Sequence, residues 1–482
     1  MIAMRWACIY LPHLALDAVL RNLPDPGRPV ALVTGPAQKR TLVAVNDVAQ
    51  GFGLRPGMGF SAAQVLVSDF VSVEYDAAQV EHWHRFLAAW AYRFSSQVCL
   101  AFDNSVVLEI GHSLKLFGPW PQFERRLRDE LRQLGFSHQL AVAPNPTAAR
   151  ALAGAHDGLA IGESHLDHAL GQLPLELAGI EPDVVDSLQR MGVFKLRQVM
   201  CLPRTSLGKR FGQALLSHLD HLHGVVMTPP EFYRPPDRFD LRIEFEYEVE
   251  SSQALLFPLR RLTSDLAAYL AGRDGGVQRF QVLLEHESIP ATPVTIGLLA
   301  PQREAPILFD LSKGRLEQIQ VPAAVRGMRL IANELPSFVP ASQDLFEARS
   351  QQSMSWDQLR ERLRSRLGDD SVYRLRVFPD HRPEHAWRAG IRENDVAHDV
   401  DASQWPSRPA WLLSQPILLR DTRVQYLSGP ERIETGWWDS HGIRRDYYQV
   451  RTSLGQHAWA WCHAGVRPGE DGSGLMLQGW FA

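Results

Sequence analysis

The chain has 482 residues, of which 45% are hydrophobic and 22% are charged, and its net charge at pH 7 is −4. This composition is typical of a globular protein with about three or four domains, and it excludes a disordered or collagen-like chain. The small negative charge excludes a uniformly basic nucleic-acid binder but leaves room for a local basic groove. No apolar run is long enough for a transmembrane helix, and the N-terminal segment has no signal-peptide pattern.

The four cysteines, Cys8, Cys99, Cys201 and Cys462, are far apart and form no CxxC pair. The sequence therefore predicts neither a zinc site nor a disulfide framework, and we expect a cytoplasmic protein.

The first 165 residues alternate strands and helices irregularly, which predicts an α+β domain with a mostly antiparallel sheet. The predicted strands are 6–11, 29–33, 41–45, 98–102, 106–110 and 140–143, and the predicted helices are 14–20, 81–94, 123–134 and 147–155.

Beyond residue 165 the pattern changes three times. Residues 175–224 read as short helices separated by glycine and proline, and the proline-rich segment 229–236 reads as a linker. A second α+β segment follows, with strands at 241–249, 278–285, 292–297 and 325–332 and helices at 254–270 and 307–318. After residue 340 comes a basic helix at 356–367, and the end of the chain is rich in tryptophan.

Several short motifs occur in a fixed order along the chain. They are LVAVN at 42–46 with GLRPGM at 53–58, VLEIG at 107–111 with LFG at 116–118, VAPN at 142–145, and GPERIETGWW at 429–438 with RRDYY at 444–448. Over residues 5–335 this order resembles the Y-family of translesion DNA polymerases, and the tail resembles the catalytically degenerate, polymerase-like subunit of a bacterial mutagenesis complex.

The resemblance implies an α+β right hand with an added C-terminal region. The implied parts are the first palm strand and helix at 1–24, fingers at 25–72, palm at 73–165, helical thumb at 166–230, little finger at 236–340, a linker with a clamp motif and a basic helix at 341–423, and an aromatic partner-binding region at 424–482.

Family members hold two divalent metal ions with carboxylates from the first palm strand and from a hairpin. Here the matching strand positions are Tyr10 and Pro12, and the matching hairpin positions are Asn104 and Ser105. A shift of one residue would bring in Asp103, but its neighbour would then be Asn104. Since Mg²⁺ requires several oxygen ligands, no metal site and no cofactor are expected, and Asp103 reads as a turn residue.

The positions that contact the incoming triphosphate in the family are also altered. The matching residues are Asp47 and Gln50, and a carboxylate there would repel a polyanion. In the last family motif of this pocket, Arg150 retains a cation, whereas Pro146 replaces a lysine.

DNA contacts are expected from basic residues in the thumb and little finger. The segment 177–182 resembles a degenerate helix-hairpin-helix, with Glu181 in place of its second glycine, and a plain packing hairpin is the alternative. The expected phosphate contacts are Arg150, Lys209, Arg210, Arg238, Arg242, Arg260 and Arg261. Such contacts would position DNA rather than read its sequence.

Two regions are expected to bind proteins. Ser342, Gln343, Asp344, Leu345 and Phe346 resemble the pentapeptide with which bacterial polymerases bind the β sliding clamp, and packing of Leu345 and Phe346 on the little finger is the alternative. In the basic helix, Leu359, Leu363 and Leu367 are expected to form a buried face, with partner or DNA binding as the other interpretation.

The tail carries candidate anchors of a protein interface, namely Trp437, Trp438, Arg444, Arg445, Tyr447 and Tyr448. The alternative is a small module that uses these aromatic residues as its core. The resemblance implies that this region recruits a RecA-like accessory protein and an error-prone C-family DNA polymerase that performs the synthesis.

The sequence therefore predicts a cytoplasmic, nucleoid-associated pseudo-polymerase. It would bind damaged primer-template DNA and the clamp, and recruit the other subunits during SOS-induced mutagenesis. The alternatives are an active translesion polymerase with a displaced metal site and a DNA-binding protein without partners.

Overall fold

The computed structural model describes residues 5–25, 27–338, 356–368, 371–378, 380–390, 407–420, 423–438, 442–469 and 474–481. The chain divides into two compact units, residues 1–366 and 367–482. The first unit combines helices with largely antiparallel sheets, and the described part of the second unit is built mainly of antiparallel strands, which together confirm the predicted α+β class with an added C-terminal region. Within the described residues, no helix is long and apolar enough to span a membrane.

A five-stranded sheet, the central sheet, forms the middle of the first unit. Its strands are β1 (Trp6–Tyr10), β5 (Val98–Cys99), β6 (Ser105–Glu109), β7 (Gln139–Ala143) and β8 (Leu159–Ala160), in the order β5-β6-β1-β7-β8. Its helices are α1 (Leu14–Leu20), α4 (Ala77–Ala91), α5 (Leu114–Phe117), α6 (Trp120–Leu134) and α7 (Pro146–Ala155).

Helices cover both faces of the central sheet, which explains why β1 is apolar at almost every position. Ala7 and Ile9 join the core that contains α4 and α6, whereas Trp6 and Cys8 join the core that contains α7. Strand β1 pairs antiparallel with β6 on one side and with β7 on the other.

A three-stranded sheet with two short helices lies between α1 and α4 in the sequence. Its parts are β2 (Val30–Thr34), β3 (Thr41–Val45), β4 (Val71–Glu74), α2 (Asp47–Gly51) and α3 (Phe60–Leu66), with the strand order β3-β2-β4. Asn46 caps α2, because its side-chain oxygen accepts from the backbone nitrogens of Ala49 and Val30, both at 3.0 Å.

A helical layer follows the central sheet. It contains α8 (Glu163–Gly171), α9 (Pro182–Arg190), α10 (Leu196–Met200), α11 (Arg204–Phe211) and α12 (Gln213–Leu222). The apolar stripe of α12, with Leu215, Leu219 and Leu222 buried, belongs to the same core as α7. This layer is therefore packed directly on the central sheet.

Residues 239–334 form a second α+β module, the four-stranded module. Its parts are β9 (Phe239–Val249), α13 (Leu256–Gly272), β10 (Val277–Glu285), β11 (Thr292–Gln302), α14 (Ala305–Leu316) and β12 (Val325–Glu334). The sheet is antiparallel in the order β11-β10-β12-β9. Along β9, buried Leu241 and Ile243 alternate with the exposed side chains of Arg242 and Glu244, as the sequence pattern predicts.

Helix α15 (Trp356–Leu367) carries its leucines outward, so the expectation of a buried leucine face is wrong. Leu359 and Leu363 are 39% and 36% exposed, and Leu367 is 62% exposed. The helix is attached through its polar face instead. Glu361 accepts from the backbone nitrogen of Leu299, and Arg362 pairs with Asp310.

The second unit contains a short hairpin and a five-stranded antiparallel sheet. The hairpin is β13 (Arg374–Val377) with β14 (Trp387–Gly390), and the sheet contains β15 (Trp411–Leu418), β16 (Gln425–Thr435), β17 (Ile443–Arg451), β18 (His457–His463) and β19 (Met476–Trp480). Its order is β15-β19-β18-β17-β16. The ring of Tyr447 stacks on Trp459 at 4.2 Å, so aromatic packing builds this core.

Candidate functional site

The register of the central sheet brings the predicted degenerate metal positions together. Tyr10, at the end of β1, is the direct antiparallel partner of Ser105 at the start of β6. The backbone carbonyl of Asn104 accepts from the backbone nitrogen of Leu11 at 2.8 Å, which closes the same end of the strand pair. Residues separated by almost 100 positions in the sequence therefore form one local site.

A cation lies on this site. The guanidinium of Arg150, from α7, stacks on the ring of Tyr10 at 4.1 Å from its centroid, an interaction that is typical of arginine and tyrosine. The neighbouring Cys8 thiol is fully buried, and burial raises its pKa to about 12. Cys8 is therefore a neutral thiol at physiological pH and adds no negative charge beside Tyr10.

The hairpin supplies little to a metal ion. Asn104 adopts a positive φ of 50°, a conformation that asparagine tolerates in turns. The backbone oxygen of Asp103 accepts from the Ser105 hydroxyl at 3.1 Å, and Asp103 is exposed at the turn. Across the described parts of the chain, no three His, Cys, Asp or Glu side chains are grouped as metal ligands would be. Tyr10, Asn104 and Ser105 do not fit the two-metal centre that the family resemblance implies.

Glu109, at the other end of β6, has a structural role. It is 1% exposed, and its carboxylate accepts from the backbone nitrogen of Gly111 at 2.7 Å and contacts Nδ1 of His112 at 2.9 Å. It pairs with Trp6, four positions from the Ser105 pair, which corresponds to about 13 Å along the strand. Glu109 therefore stabilises a turn far from Tyr10.

The predicted triphosphate positions lie in α2. Asp47 and Gln50 are both exposed. The side-chain nitrogen of Gln50 donates back to the carbonyl of Val45 at 3.4 Å, and Arg55 donates to the carbonyl of Gln50 at 2.7 Å. Arg55, the cation nearest to α2 in the sequence, therefore stabilises the turn that follows this helix.

The basic residues of the helical layer are open to solvent. Lys209 and Arg210 lie in the last turn of α11 and are exposed. In the hairpin-like segment before α9, Gly179 has a φ of 74°, and a Cβ there would lie 3.2 Å from the ring of His218. Close packing against α12 thus requires this glycine, in agreement with the packing alternative for the hairpin.

The arginines of the four-stranded module differ in whether their charge is already paired with a carboxylate. Arg238 and Arg260 are exposed, and the guanidinium of Arg260 lies 4.6 Å from the ring centroid of Phe309. Arg242 is paired with Glu285 at 2.6 Å and with Glu244 at 3.3 Å. Its charge is therefore largely neutralised within the sheet.

Arg261 is half-buried, and its guanidinium is turned toward α6. Its guanidinium donates to the backbone carbonyls of Gln133 and Leu134 in α6. Burial, together with the charge of neighbouring Arg21, lowers its pKa to about 10. Arg261 thus connects the four-stranded module to the central sheet, and we leave it out of the DNA interface proposed below.

Sequence reasoning missed the main contact between these two parts of the first unit. Arg21 in the turn after α1 and Asp265 in α13 form an ion pair at 2.5 Å, and both side chains are completely buried. The guanidinium of Arg21 also lies 4.3 Å from the ring of Trp83 and 4.9 Å from the ring of Phe136. No local sequence pattern predicts this ion pair, because 244 positions separate Arg21 from Asp265.

The predicted clamp motif, Ser342 to Phe346, lies outside the described residues. The predicted tail anchors lie within them and fall into two groups. Trp437 and Trp438 are 82% and 63% exposed beyond the end of β16, with their rings at 5.5 Å in an edge-to-face arrangement. This exposed pair suits a protein interface.

The other tail candidates support the module itself. Tyr447 is 1% exposed, and Arg445 stacks on Trp461 at 4.4 Å and contacts the Tyr447 hydroxyl at 3.1 Å. Arg444 pairs with Glu434 at 3.0 Å on the surface, and Tyr448 is half-buried. The alternative of aromatic residues as core therefore describes Tyr447, whereas the two tryptophans are accessible.

Comparison with known proteins finds one matching family model and a named relative that is matched over its whole length. Residues 16–154 match the model of the impB/mucB/samB family. Over 461 residues the chain is 27% identical to Protein ImuB of two Caulobacter vibrioides strains, covering 89% of this chain and 100% of each relative. The predicted resemblance is thereby confirmed.

Solved structures of Y-family polymerases also show similarity. DinB from Sulfolobus solfataricus matches with a TM-score of 0.40 and 16% identity, and an insertion ternary complex of Dbh DNA polymerase matches with a TM-score of 0.41 and 16% identity. Each match covers 70% of this chain and 100% of the solved chain.

Proposed function

We propose that the protein is a non-catalytic, Y-family polymerase-like adaptor for translesion mutagenesis. It binds damaged primer-template DNA and the β sliding clamp, and it recruits an error-prone C-family polymerase and a RecA-like accessory protein (ImuA-like). The similarity to Protein ImuB over 89% of the chain supports a translesion-polymerase-related role. The observation that carries the non-catalytic part is the chemistry of the paired ends of β1 and β6, where Tyr10, Asn104 and Ser105 include no carboxylate.

The electrostatics of that site oppose metal-dependent chemistry. A pair of divalent ions needs several carboxylate oxygens close together, and the strand pair offers a phenol, an amide and a hydroxyl. The guanidinium of Arg150, which matches a cation that the family also has, lies on Tyr10 and supplies no ligand for a metal ion. The missing carboxylates therefore carry the argument against metal-dependent chemistry.

DNA binding is proposed to use the cations that remain open to solvent. Lys209 and Arg210 on α11, with Arg238 and Arg260 in the four-stranded module, are exposed. Arg150 is half-buried at the palm position. Contacts of this kind to phosphates give weak, salt-sensitive binding that is largely independent of sequence.

Protein partners are proposed to bind at two sites that follow the four-stranded module in the sequence. The clamp contact is assigned to Ser342 to Phe346 on sequence alone. The recruiting contact is assigned to the exposed pair Trp437 and Trp438, because exposed aromatic pairs are strong interface anchors.

A primer-extension assay with Mg²⁺ or Mn²⁺ tests the proposal. The purified chain is expected to give no template-directed extension, while a catalytic Y-family polymerase assayed alongside extends the primer. Sustained extension by the chain would overturn the non-catalytic assignment. If extension is seen, the variant Asp103→Ala tests for an active enzyme with a displaced metal site. Loss of synthesis in this variant would identify Asp103 as a metal ligand.

Clamp capture separates the adaptor from a DNA-binding protein without partners. The wild-type chain is expected to be retained on immobilised clamp, and the double variant Leu345→Ala and Phe346→Ala is expected to be lost. Equal retention of both chains would contradict the motif assignment. Retention of the Trp437→Ala and Trp438→Ala variant provides the matched control, because those residues are assigned to another partner.

A further inference from the structure

A cleft opens in the first unit between the central sheet and the four-stranded module, away from the Tyr10 site. Its volume is about 440 Å³, which is within the range of small-ligand sites. One side is lined by Tyr92, Arg93 and Phe117, and the other by Arg273, Asp274 and Arg303. Arginines from both parts of the unit thus converge on one space.

Two of these arginines keep unused donors. Arg93 donates through Nη1 to Glu130 at 2.8 Å, and Arg303 donates through Nη1 to Asp274 at 2.7 Å. Within the described residues, their Nε and Nη2 groups have no hydrogen-bond acceptor. Arg273 is different, because its two Nη groups donate to the carbonyl of Pro236 and to the carboxylate of Asp237. Its Nε is buried and has no hydrogen-bond partner among the described residues.

Positive charge exceeds negative charge at the cleft. The carboxylate of Glu130 is shared between Arg93 and Arg126, and it also accepts from the indole of Trp90 at 3.0 Å. Burial lowers the pKa of Arg93, and the charges of Arg126 and Arg303 lower it further. An added anion would relieve this repulsion.

The cleft is built by a rigid contact between its two sides. Gly272, which also lines the cleft, packs so closely on α4 that a Cβ there would lie 1.9 Å from the carbonyl oxygen of Ala89. The buried pair of Arg21 and Asp265 fixes the same helix α13. Arg273, which directly follows α13, is therefore held opposite Arg93, and Arg303 is tied to the same segment by its hydrogen bond to Asp274. A ligand would have little left to order at these two side chains.

We propose that this cleft binds the phosphate group of a nucleotide. The forked donors of arginine match phosphate oxygens, and the rings of Tyr92 and Phe117 border the space beside them. Asp274 does not oppose the anion strongly, because its charge is paired with Arg303. The phosphate comes either from a free nucleotide or from one unit of a nucleic-acid strand. This inference is independent of the proposed function.

Calorimetric titration of the full chain with inorganic phosphate, dAMP and a short oligo(dT) tests the site. In the double variant Arg93→Gln and Arg303→Gln, affinity is expected to fall at least about tenfold. A second variant, Ala271→Glu, places a carboxylate at the half-exposed edge of the cleft while keeping every arginine pair. Ala271→Glu should also lower the affinity at least about tenfold. It tests the site independently if the double arginine variant folds poorly.

The matched control is the double variant Arg125→Gln and Arg132→Gln, which removes two exposed arginines from α6. It should bind like the wild type. Saturable binding of dAMP or phosphate identifies a free nucleotide as the source, and binding of oligo(dT) alone identifies a strand. The proposal is overturned if no probe saturates the wild-type chain, or if Ala271→Glu binds as the wild type does.

Discussion

At the scale of single residues, two arginine contacts stand out, one half-buried and one fully buried. Arg150 lies on Tyr10, a position at which the family resemblance implies a metal-binding carboxylate, and Arg21 is neutralised by Asp265 inside the first unit. The first contact bears on function and the second on stability. Both depend on the ability of arginine to stack on rings while it keeps hydrogen-bond donors for other groups.

Replacing one partner of the buried pair should be costly. Asp265→Asn leaves the charge of Arg21 buried without a counter-charge, and we expect a loss of about 3–5 kcal/mol in the free energy of unfolding. Urea unfolding measures it. Asp310→Asn, which breaks the exposed pair with Arg362, is the control, with an expected loss below about 1 kcal/mol. Equal losses for the two variants would contradict the buried pair.

Thiol reactivity tests burial at the end of β1. Cys8, Cys99 and Cys462 are buried, and Cys201 is exposed. Because burial raises the pKa of Cys8 to about 12, its reactive thiolate is scarce at pH 8. Titration of the native protein with a thiol reagent at that pH should modify Cys201 rapidly and leave Cys8 unmodified. Rapid labelling of Cys8, identified by peptide mass, would count against this packing.

At the scale of secondary-structure elements, α15 and the β16–β17 strand pair of the tail show the same ambiguity in sequence. A leucine stripe and an aromatic cluster each signal either a core or an interface. In α15 the leucines are exposed and Glu361 makes the attachment. In the tail, Tyr447 is buried and Trp437 is exposed, although both lie among the same motif residues.

Polar substitution of the α15 stripe should leave the fold intact. Leu359→Gln and Leu363→Gln together are expected to change the free energy of unfolding by less than about 1 kcal/mol, because both side chains already contact water. Leu262→Ala, in the buried face of α13, should cost about 2–5 kcal/mol. Thermal unfolding compares them. A large loss in the α15 variant would mean that its leucines are buried in solution.

The tail makes a matched pair of aromatic substitutions possible. Trp437→Ala with Trp438→Ala should keep the melting temperature and abolish capture of the recruited polymerase or accessory protein. Tyr447→Ala should instead lower stability by about 3 kcal/mol, because the ring stacks on Trp459 in the core. Circular dichroism melting and partner capture provide the two readouts. Partner capture unaffected by loss of both tryptophans would remove them from the interface.

At the scale of the whole molecule, sequence predicted the fold class and the general type of protein, because periodicity and motif order are local signals. It also singled out Tyr10 and Ser105, which the structure places directly opposite each other in β1 and β6. That they mark a degenerate metal site stays a prediction. It could not predict that Arg261 would turn toward α6 or that Arg21 would meet Asp265. Those contacts arise only when α13 packs on the helices of the central sheet.

The central claim, that the Tyr10 site cannot hold a pair of divalent ions, is tested most directly by Mn²⁺ binding. Electron paramagnetic resonance of the full chain with primer-template, a nucleoside triphosphate and Mn²⁺ reports bound ions, with a catalytic Y-family polymerase as the positive control. We expect no pair of protein-bound Mn²⁺ ions, because Tyr10, Asn104 and Ser105 supply no carboxylate. Two Mn²⁺ ions bound per chain, and lost on substitution of Asp103, would contradict the account.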